Sequence, residues 1–225
     1  LYEKKIGVSH ARNCYLKFVS NQKFDFCAFI DDDCIINKNF FLNYLLFIDK
    51  ENCEIVTGPQ LYASKKAYFR VLERNFEYGE KVKWASTNNV FFKHKILKNN
   101  IHFSNLVTKY GFGEDQLFFS QQNQLGNIIK WTNNKVYEVI QKNRESMIWF
   151  LDRSFKFGLT GFLIDKEIYG RLNGLIINFG KIGYYFYLII ESVFVNIYRP
   201  KLIFYNILFN IFRILGRLTS IKNIF

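Results

Sequence analysis

The sequence predicts an α/β fold, in which helices cover both faces of a β-sheet, followed by a helical tail. Short apolar runs typical of strands alternate with segments whose apolar residues recur at the helical period. Hydrophobic residues make up 49% of the chain and aromatic residues 19%, which is enough apolar surface to exclude a disordered protein. Beyond Gly170 the alternation stops and long apolar stretches follow.

The elements of the α/β region can be assigned in order from these patterns. Each expected helix has apolar residues spaced by three or four, and each expected strand is a short apolar run that ends at polar or glycine residues. The expected order is helix 7–20, strand 26–30, helix 39–48, strand 54–57, helix 64–79, strand 88–92, helix 116–125, and strands 128–131 and 136–140.

A helical pattern resumes at Ser146, and we expect Gly158 to end that helix because glycine commonly follows the last helical turn. This position divides the chain into an α/β domain of residues 1–158 and a helical, amphipathic or hydrophobic tail of residues 159–225. One domain with an appendage is typical of a chain of 225 residues.

The tail contains two apolar runs, residues 182–198 and 202–212, separated by Arg199-Pro200-Lys201. Each run is shorter than the roughly 20 apolar residues that cross a bilayer, so a pair of helices lying in the membrane interface, or a shallow hairpin, fits better. Tyrosines of the kind that settle at headgroup depth accompany basic residues that can meet anionic lipid. The alternative is a helical subdomain packed on the α/β domain or on a second subunit.

The net charge of +12 indicates a polyanionic partner, such as anionic lipid, a phosphorylated substrate or nucleic acid. Nucleic acid is the poorest fit, because the aromatic residues lie within apolar runs and are not interleaved with basic residues as base stacking requires. The alternative is an AT-biased genome, which would by itself enrich a chain in Lys, Asn, Ile and Phe. The four cysteines form no CxxC pair, which argues against a structural zinc site.

Three consecutive aspartates, Asp31 to Asp33, follow the apolar strand 26–30. Adjacent carboxylates repel one another and raise each other's pKa, so a positive charge is expected to balance them. Oxygen ligands of this kind select Mg²⁺ or Mn²⁺, usually with substrate phosphate and water completing the shell. The alternative is an ordinary exposed acidic turn.

A second acidic motif is GFGED, which ends in Glu114 and Asp115 at the start of the expected helix 116–125. Glycines let the backbone approach a ligand closely, and the helix dipole stabilises negative charge at this end. Acidic residues in a first turn are also common as helix caps, so this motif alone does not identify a site.

Taken with their flanking residues, the two acidic motifs resemble the inverting glycosyltransferases of family 2, which have the GT-A fold, a Rossmann-like mixed sheet flanked by helices. The resemblance covers residues 6–158 and rests on several motifs that occur in the family's order. These motifs are GVSHARN, FCAFIDDD, VTGPQ, WASTNNVFFKHKIL, FGEDQLFF and NRESMIWFLDRSFKFG.

The resemblance implies roles for the aspartates. Asp31 to Asp33 match the family's DxD region, which binds the donor through its sugar or ribose and through a metal on its diphosphate. Asp31 and Asp32 are thus expected to bind the donor. Asp33 is the expected direct ligand of Mn²⁺ or Mg²⁺, with Asp31 as a second. Many relatives carry a metal-binding or phosphate-binding His where this chain has Glu138, and that glutamate is a candidate third ligand.

The same resemblance implies that Asp115 is the general base that deprotonates the acceptor hydroxyl and that Glu114 binds the acceptor. Asn88 and Asn89 match the strand that lines the acceptor side. Arg12, in the first helix, is expected to reach the donor, although an ordinary surface arginine is the alternative.

Arg144 matches a family arginine that contacts the donor diphosphate. Nearby Trp149 fits core packing better than ligand binding.

The family's opening strand and its base-recognising aspartate precede the part that this sequence matches, so we expect a longer chain. The implied function is metal-dependent transfer of a sugar, with inversion, from a UDP-linked donor to a hydroxyl of a glycan or lipid-linked acceptor, in bacterial surface-polysaccharide or lipid-linked glycan synthesis. The expected location is the cytoplasm, peripheral on the inner face of the membrane. The alternatives are a sugar-phosphate nucleotidyltransferase and a non-enzymatic basic module that binds membrane.

Overall fold

The computed structural model describes residues 1–222 and has mixed α/β architecture. Short 3₁₀ helices supplement the seven α-helices and seven strands found among the described residues. In chain order the main elements are α1 (Val8–Ser20), β1 (Phe26–Phe29), β2 (Cys34–Ile36), α2 (Phe40–Glu51), β3 (Ile55–Thr57), β4 (Gln60–Tyr62), α3 (Ala67–Leu72), β5 (Val90–Lys93), α4 (Glu114–Gln124), β6 (Ile129–Trp131), β7 (Val136–Glu138), α5 (Met147–Tyr169), α6 (Arg171–Val195) and α7 (Pro200–Lys222).

The chain divides into two compact units. The first consists of residues 1–61 and 74–139, and the second of residues 62–73 together with the chain from residue 140 onward. The boundary expected at residue 158 falls inside α5 and so does not coincide with this division. Residues 223–225, the end of the expected tail, lie outside the described residues.

The first unit is built on a mixed four-stranded sheet in the order β1-β5-β3-β6, accompanied by a three-stranded sheet in the order β2-β7-β4. Strand β3 pairs with β6 in parallel and with β5 antiparallel. Strand β1 pairs only with β5 in the sheet of the described residues and therefore lies at its edge. The three aspartates follow β1 directly, where its backbone leaves the sheet.

Helices cover both faces of the four-stranded sheet, as the alternating pattern predicted. Neighbouring residues on one strand enter different cores: Ile55 packs in a cluster with Leu16 of α1 and Phe118 of α4, whereas Val56 packs in a cluster with Tyr44 of α2. This division follows from the strand geometry, in which successive side chains point to opposite faces. The two cores hold the ends of the strands in place, and with them the loops that carry the acidic motifs.

The helix expected over residues 64–79 is wrong in length, because α3 covers only Ala67–Leu72. The backbone becomes extended at Glu73, and from Arg74 the chain belongs to the first unit. There the Phe76 ring packs edge-on against Trp131, with 5.1 Å between ring centroids. The aromatic residues that give this stretch its helical pattern therefore pack in two different cores.

The prediction that Gly158 ends a helix is also wrong, since α5 continues for more than two turns beyond it. Gly158 is buried where α5 meets α7, and a Cβ atom there would lie 2.0 Å from the carbonyl oxygen of Arg213. Gly216 of α7 is in the reciprocal position, because a Cβ atom there would lie 2.0 Å from the carbonyl oxygen of Phe155. Glycine is required here for close helix packing.

The second unit is helical and has an aromatic core in which Tyr68 and Phe69 of α3 pack with Phe150 of α5. The two long helices predicted for the tail are present as α6 and α7, and both expose many apolar side chains. By length and composition alone, α7 is apolar enough to cross a membrane.

Candidate functional site

Arg12 joins the two acidic motifs, which are far apart in sequence. It projects from α1, and its Nη1 donates a hydrogen bond to Oε1 of Glu114 at the start of α4. Its Nη2 lies 3.7 Å from Oδ1 of Asp31, at the end of β1. Its guanidinium also lies 5.6 Å from the ring centroid of Phe103. The DDD and GFGED motifs therefore meet around one largely buried cation.

The charges of these acids act on one another. Partial burial raises the pKa of Asp31 to about 6, against the lowering effect of Arg12, and the charges of Asp115, Asp33 and Asp32 raise it further. The influence of Asp115 on Asp31 means that the two motifs share one electrostatic environment. A cation or a basic ligand bound here would offset this excess of negative charge.

Asp115 lies in the first turn of α4 and is held by neighbouring donors. Its Oδ2 accepts hydrogen bonds from Oγ of Ser86 (3.2 Å) and from the backbone N–H of Thr87 (3.4 Å). Its Oδ1 accepts from the backbone N–H of Gln116 at 2.7 Å. The side chain is only partly buried, so a fixed carboxylate is presented where an acceptor hydroxyl could approach.

Glu114, the neighbour of Asp115, is almost fully buried at 5% exposure. Burial and the charge of Asp115 raise the pKa of Glu114, whereas Arg12 lowers it. The glutamate thus fixes the Arg12 guanidinium, and its predicted contact with an acceptor stays a prediction.

The three predicted metal ligands lie around Cys34. Strand pairing places Cys34 opposite Glu138, and the backbone N–H of Val139 donates to the carbonyl of Asp33 at 2.8 Å. The charges of Asp31, Glu138 and Asp33 add to the effect of burial and raise the pKa of the Cys34 thiol to about 12.

Within residues 1–222, no three His, Cys, Asp or Glu side chains are close enough together to hold a metal ion by themselves. The carboxyl of Glu138 is buried and accepts a hydrogen bond from Gln60. The aspartates therefore fit a hard cation only if substrate phosphate and water complete its shell, which is the usual arrangement for Mg²⁺. Asp32 is exposed at the tip of the turn.

Asn88 and Asn89, both expected to bind the acceptor, differ in their hydrogen bonding. Asn89 is 0% exposed, and its amide donates to the carbonyls of Pro59 and Asn134 and accepts from the hydroxyl of Tyr44. With its side chain occupied in this way, the acceptor contact predicted for Asn89 is corrected to a structural role. Asn88 differs, because its buried Oδ1 has no hydrogen-bond partner among the described residues.

Arg144 lies in a 3₁₀ helix, Lys142–Arg144, in the second unit. Its contact with a donor diphosphate stays a prediction. The donor role of Arg12 stays one as well, and its largely buried guanidinium between Asp31 and Glu114 is unlike that of an ordinary surface arginine.

Sequence reasoning did not single out the residues that position Asp115. Ser86 and Thr87 lie in the WASTNN motif, but nothing in that motif shows which side chains face α4. Arg74 was also missed: its guanidinium lies 3.7 Å from the Trp84 ring centroid and donates to the Trp84 carbonyl at 3.2 Å. Burial lowers the pKa of Arg74 to about 10, and the charge of Asp115 opposes that effect.

A family model described as glycosyl transferase family 2 matches residues 2–112. That range includes Arg12, the three aspartates and the WASTNN motif, and it ends just before Glu114. No curated protein matches the sequence.

Solved structures similar to this chain include A197 from STIV, with 20% identity over 61% of this chain and 70% of that protein and a TM-score of 0.45. S. aureus TarS is similar at 21% identity over 69% of this chain and 26% of TarS, with a TM-score of 0.42. TarS 1–349 in complex with UDP-GlcNAc shows 16% identity over 98% of this chain and 73% of that protein, with a TM-score of 0.43.

Proposed function

From the match of the glycosyl transferase family 2 model to residues 2–112, we propose that this chain is a glycosyltransferase that transfers a sugar from a UDP-linked donor to a hydroxyl of a glycan or lipid-linked acceptor, with inversion. The proposed setting is bacterial surface-polysaccharide or lipid-linked glycan synthesis. The observation that carries the proposal is the meeting of Asp31, Glu114 and Asp115 around Arg12.

This arrangement offers different chemistry on its two sides. Asp31 to Asp33 follow a strand and include an exposed and two partly buried carboxylates, which suits a donor held through its hydroxyls and through a cation on its diphosphate. Asp115 is fixed by Ser86 and Thr87, which suits a base whose direction matters. Arg12 carries a permanent positive charge. Because it lies between the aspartates after β1 and the acids at the start of α4, it can hold the two groups at a fixed separation.

The residues present fit a metal shared with the donor. Asp33 and Asp31 would supply oxygen ligands, with Glu138 as a candidate third. Bound Mn²⁺ or Mg²⁺ would supply positive charge that stabilises the departing diphosphate.

In the proposed reaction the acceptor hydroxyl oxygen forms a bond to the anomeric carbon on the face opposite the diphosphate. The bond from that carbon to the diphosphate oxygen breaks, and its electron pair leaves with UDP. Oδ1 or Oδ2 of Asp115 takes the proton of the acceptor hydroxyl, which is general-base catalysis. One displacement of this kind inverts the anomeric centre.

A calorimetric titration tests the donor side. We expect UDP to bind at least about tenfold more tightly with Mn²⁺ than without it, because the carboxylates and the diphosphate complete one shell together. Asp33→Ala should remove the effect of Mn²⁺, whereas Asp25→Ala, which removes an exposed aspartate ahead of β1, should preserve it. The metal assignment would be refuted if UDP bound equally well with and without Mn²⁺, or if Mn²⁺ still strengthened UDP binding by Asp33→Ala.

We also propose that the tail associates with the inner face of the membrane. Large apolar side chains on α6 are exposed, including Ile176 (64%), Phe194 (74%) and Tyr198 (95%) just beyond it. Residues 156–225 contain nine basic and three acidic residues, so apolar insertion and attraction to anionic lipid would act together.

Vesicle co-sedimentation tests this association. The protein should bind vesicles that contain phosphatidylglycerol, and binding should weaken with added salt and in Phe194→Glu. The matched variant Phe24→Glu, in the first unit and 47% exposed, should bind as the original protein does. Equal sedimentation of the two variants would show that α6 does not insert.

A further inference from the structure

The core of the helical unit contains a polar cluster that catalysis does not use. It lies where α5, α6 and α7 meet, and its most buried members are Asp165 (3% exposed), Asn178 (0%) and Arg217 (2%). Lys181, Tyr185 and Arg213 complete it. We call these six residues the buried polar cluster.

Asp165 is the acidic member of the cluster. Its carboxylate accepts hydrogen bonds from Nζ of Lys181 (2.6 and 2.9 Å) and from Nη1 of Arg217 (3.0 Å). The Tyr185 hydroxyl accepts from Nη2 of Arg213 at 2.8 Å and from Nε of Arg217 at 3.3 Å. Two cations, Lys181 and Arg217, thus share one carboxylate, whereas Arg213 bonds to the tyrosine hydroxyl.

The cluster therefore carries more positive than negative charge. Among the described residues, Lys181, Arg213 and Arg217 have no acidic partner other than Asp165. Charges removed from water are costly unless they are paired, so this partly buried surplus of positive charge favours the binding of an anion. The described residues do not supply such an anion.

Two buried donors also lack an acceptor within the described residues, Nδ2 of Asn178 and Nε of Arg213. Asn178 bonds to Arg217 through its Oδ1 at 2.8 Å, so its free amide group belongs to the same cluster. Unpartnered donors beside surplus positive charge are the complement of an oxyanion such as phosphate.

The cluster reaches solvent among apolar side chains. The Lys181 side chain is 38% exposed, and Arg213 is half-buried. Tyr184 of α6, three residues after Lys181 and so on the same helix face, is 55% exposed, and Leu215 of α7, between Arg213 and Arg217, is 45% exposed. A ligand with an anionic headgroup and apolar chains would therefore meet basic residues at its headgroup and apolar side chains along its chains.

We propose that the buried polar cluster binds the phosphate of an anionic phospholipid, with Lys181 and Arg213 as the direct contacts and the acyl chains on the apolar faces of α6 and α7. The proposal rests on the membrane association proposed above and adds a defined headgroup site to it. Arg217 and Asp165 would hold the two contact residues in place.

Calorimetry with soluble ligands tests the site without vesicles. The probes are dihexanoyl phosphatidate, inorganic phosphate and dihexanoyl phosphatidylcholine, each below its micellar concentration. We expect phosphatidate to bind more tightly than either of the others. Lys181→Gln should weaken phosphatidate binding about tenfold, the usual effect of losing a hydrogen bond to a charged group.

Lys222→Gln is the matched control, because it removes the same charge from an exposed position on α7 and should leave phosphatidate binding within about twofold of the original. Arg213→Lys is a second test variant that keeps the charge of the cluster and should also weaken binding, because lysine lacks the planar fork of donors. Circular dichroism and thermal unfolding establish that each variant is folded.

Equal phosphatidate binding by Lys181→Gln and Lys222→Gln would overturn the proposal. If inorganic phosphate bound as tightly as phosphatidate, the ligand would be a free anion and the lipid assignment would be wrong. Since no step of the experiment uses sugar transfer or vesicles, either failure leaves the proposed glycosyltransferase activity and membrane association to their own tests.

Discussion

The two units of this protein handle charge in opposite ways. In the first unit, acids are in excess at the ends of a strand and a loop, and the cation Arg12 lies between them. In the second unit, cations are in excess in the buried polar cluster, and the acid Asp165 lies between Lys181 and Arg217. Asp31 is half-exposed, whereas Asp165 is almost fully buried.

The acids of the first unit are available to bind a ligand, whereas the charges of the buried polar cluster also stabilise the fold. A partly exposed carboxylate can stay hydrated until a cation or a substrate arrives, so removing it costs little stability. A buried carboxylate that pairs with two cations cannot be removed without leaving them unpaired. The comparison therefore predicts that equivalent substitutions in the two regions have opposite effects on folding and on ligand binding.

The largest effect is expected for Asp165→Asn, which removes the acid of the buried polar cluster. Breaking a buried ion pair typically lowers the free energy of unfolding by about 3 to 5 kcal/mol. Asp31→Asn should leave stability unchanged or raise it slightly, because it removes repulsion among neighbouring acids. Urea unfolding of both variants measures the difference, and equal losses of stability would break the comparison.

Gly216→Ala should have the next largest effect, because its new Cβ would lie 2.0 Å from the Phe155 carbonyl oxygen, where backbone has to shift. Overpacking of this kind lowers the free energy of unfolding by about 3 kcal/mol at the upper end of its usual range. Gly180→Ala in α6 is the control, since no atom lies within 4 Å of its added Cβ. It should stabilise the helix by up to about 1 kcal/mol. Thermal unfolding that ranks the two variants the other way would show that α5 and α7 do not cross at Gly216.

Much of the fold could be predicted from the sequence, because strands and helices are specified by local periodicity. Strand β1 and helix α4, for example, lie within a residue or two of their expected positions. The misreading of Gly158 has a different origin. Whether a glycine ends a helix or allows close packing depends on its partner, here the Arg213 backbone, which no local pattern reveals.

The candidate site shows the same limit. Its acids were predicted from motifs, but the hydrogen bond between Arg12 and Glu114 joins residues 102 positions apart. The role of Ser86 as a donor to Asp115 likewise depends on a tertiary contact. Asn89 was assigned to the acceptor from its motif, whereas burial and three hydrogen bonds give it a structural role.

The central claim is that Asp115 is the base of a sugar transfer, and the turnover of two single variants tests it most directly. Asp115→Asn keeps the shape of the side chain and removes its basic oxygen, so UDP release in the presence of acceptor should fall by about two orders of magnitude. Its affinity for UDP with Mn²⁺ should stay near that of the original protein. Glu114→Gln should act mainly on the KM for acceptor. Near-normal turnover in Asp115→Asn together with loss of turnover in Glu114→Gln would contradict the account and assign the base to Glu114.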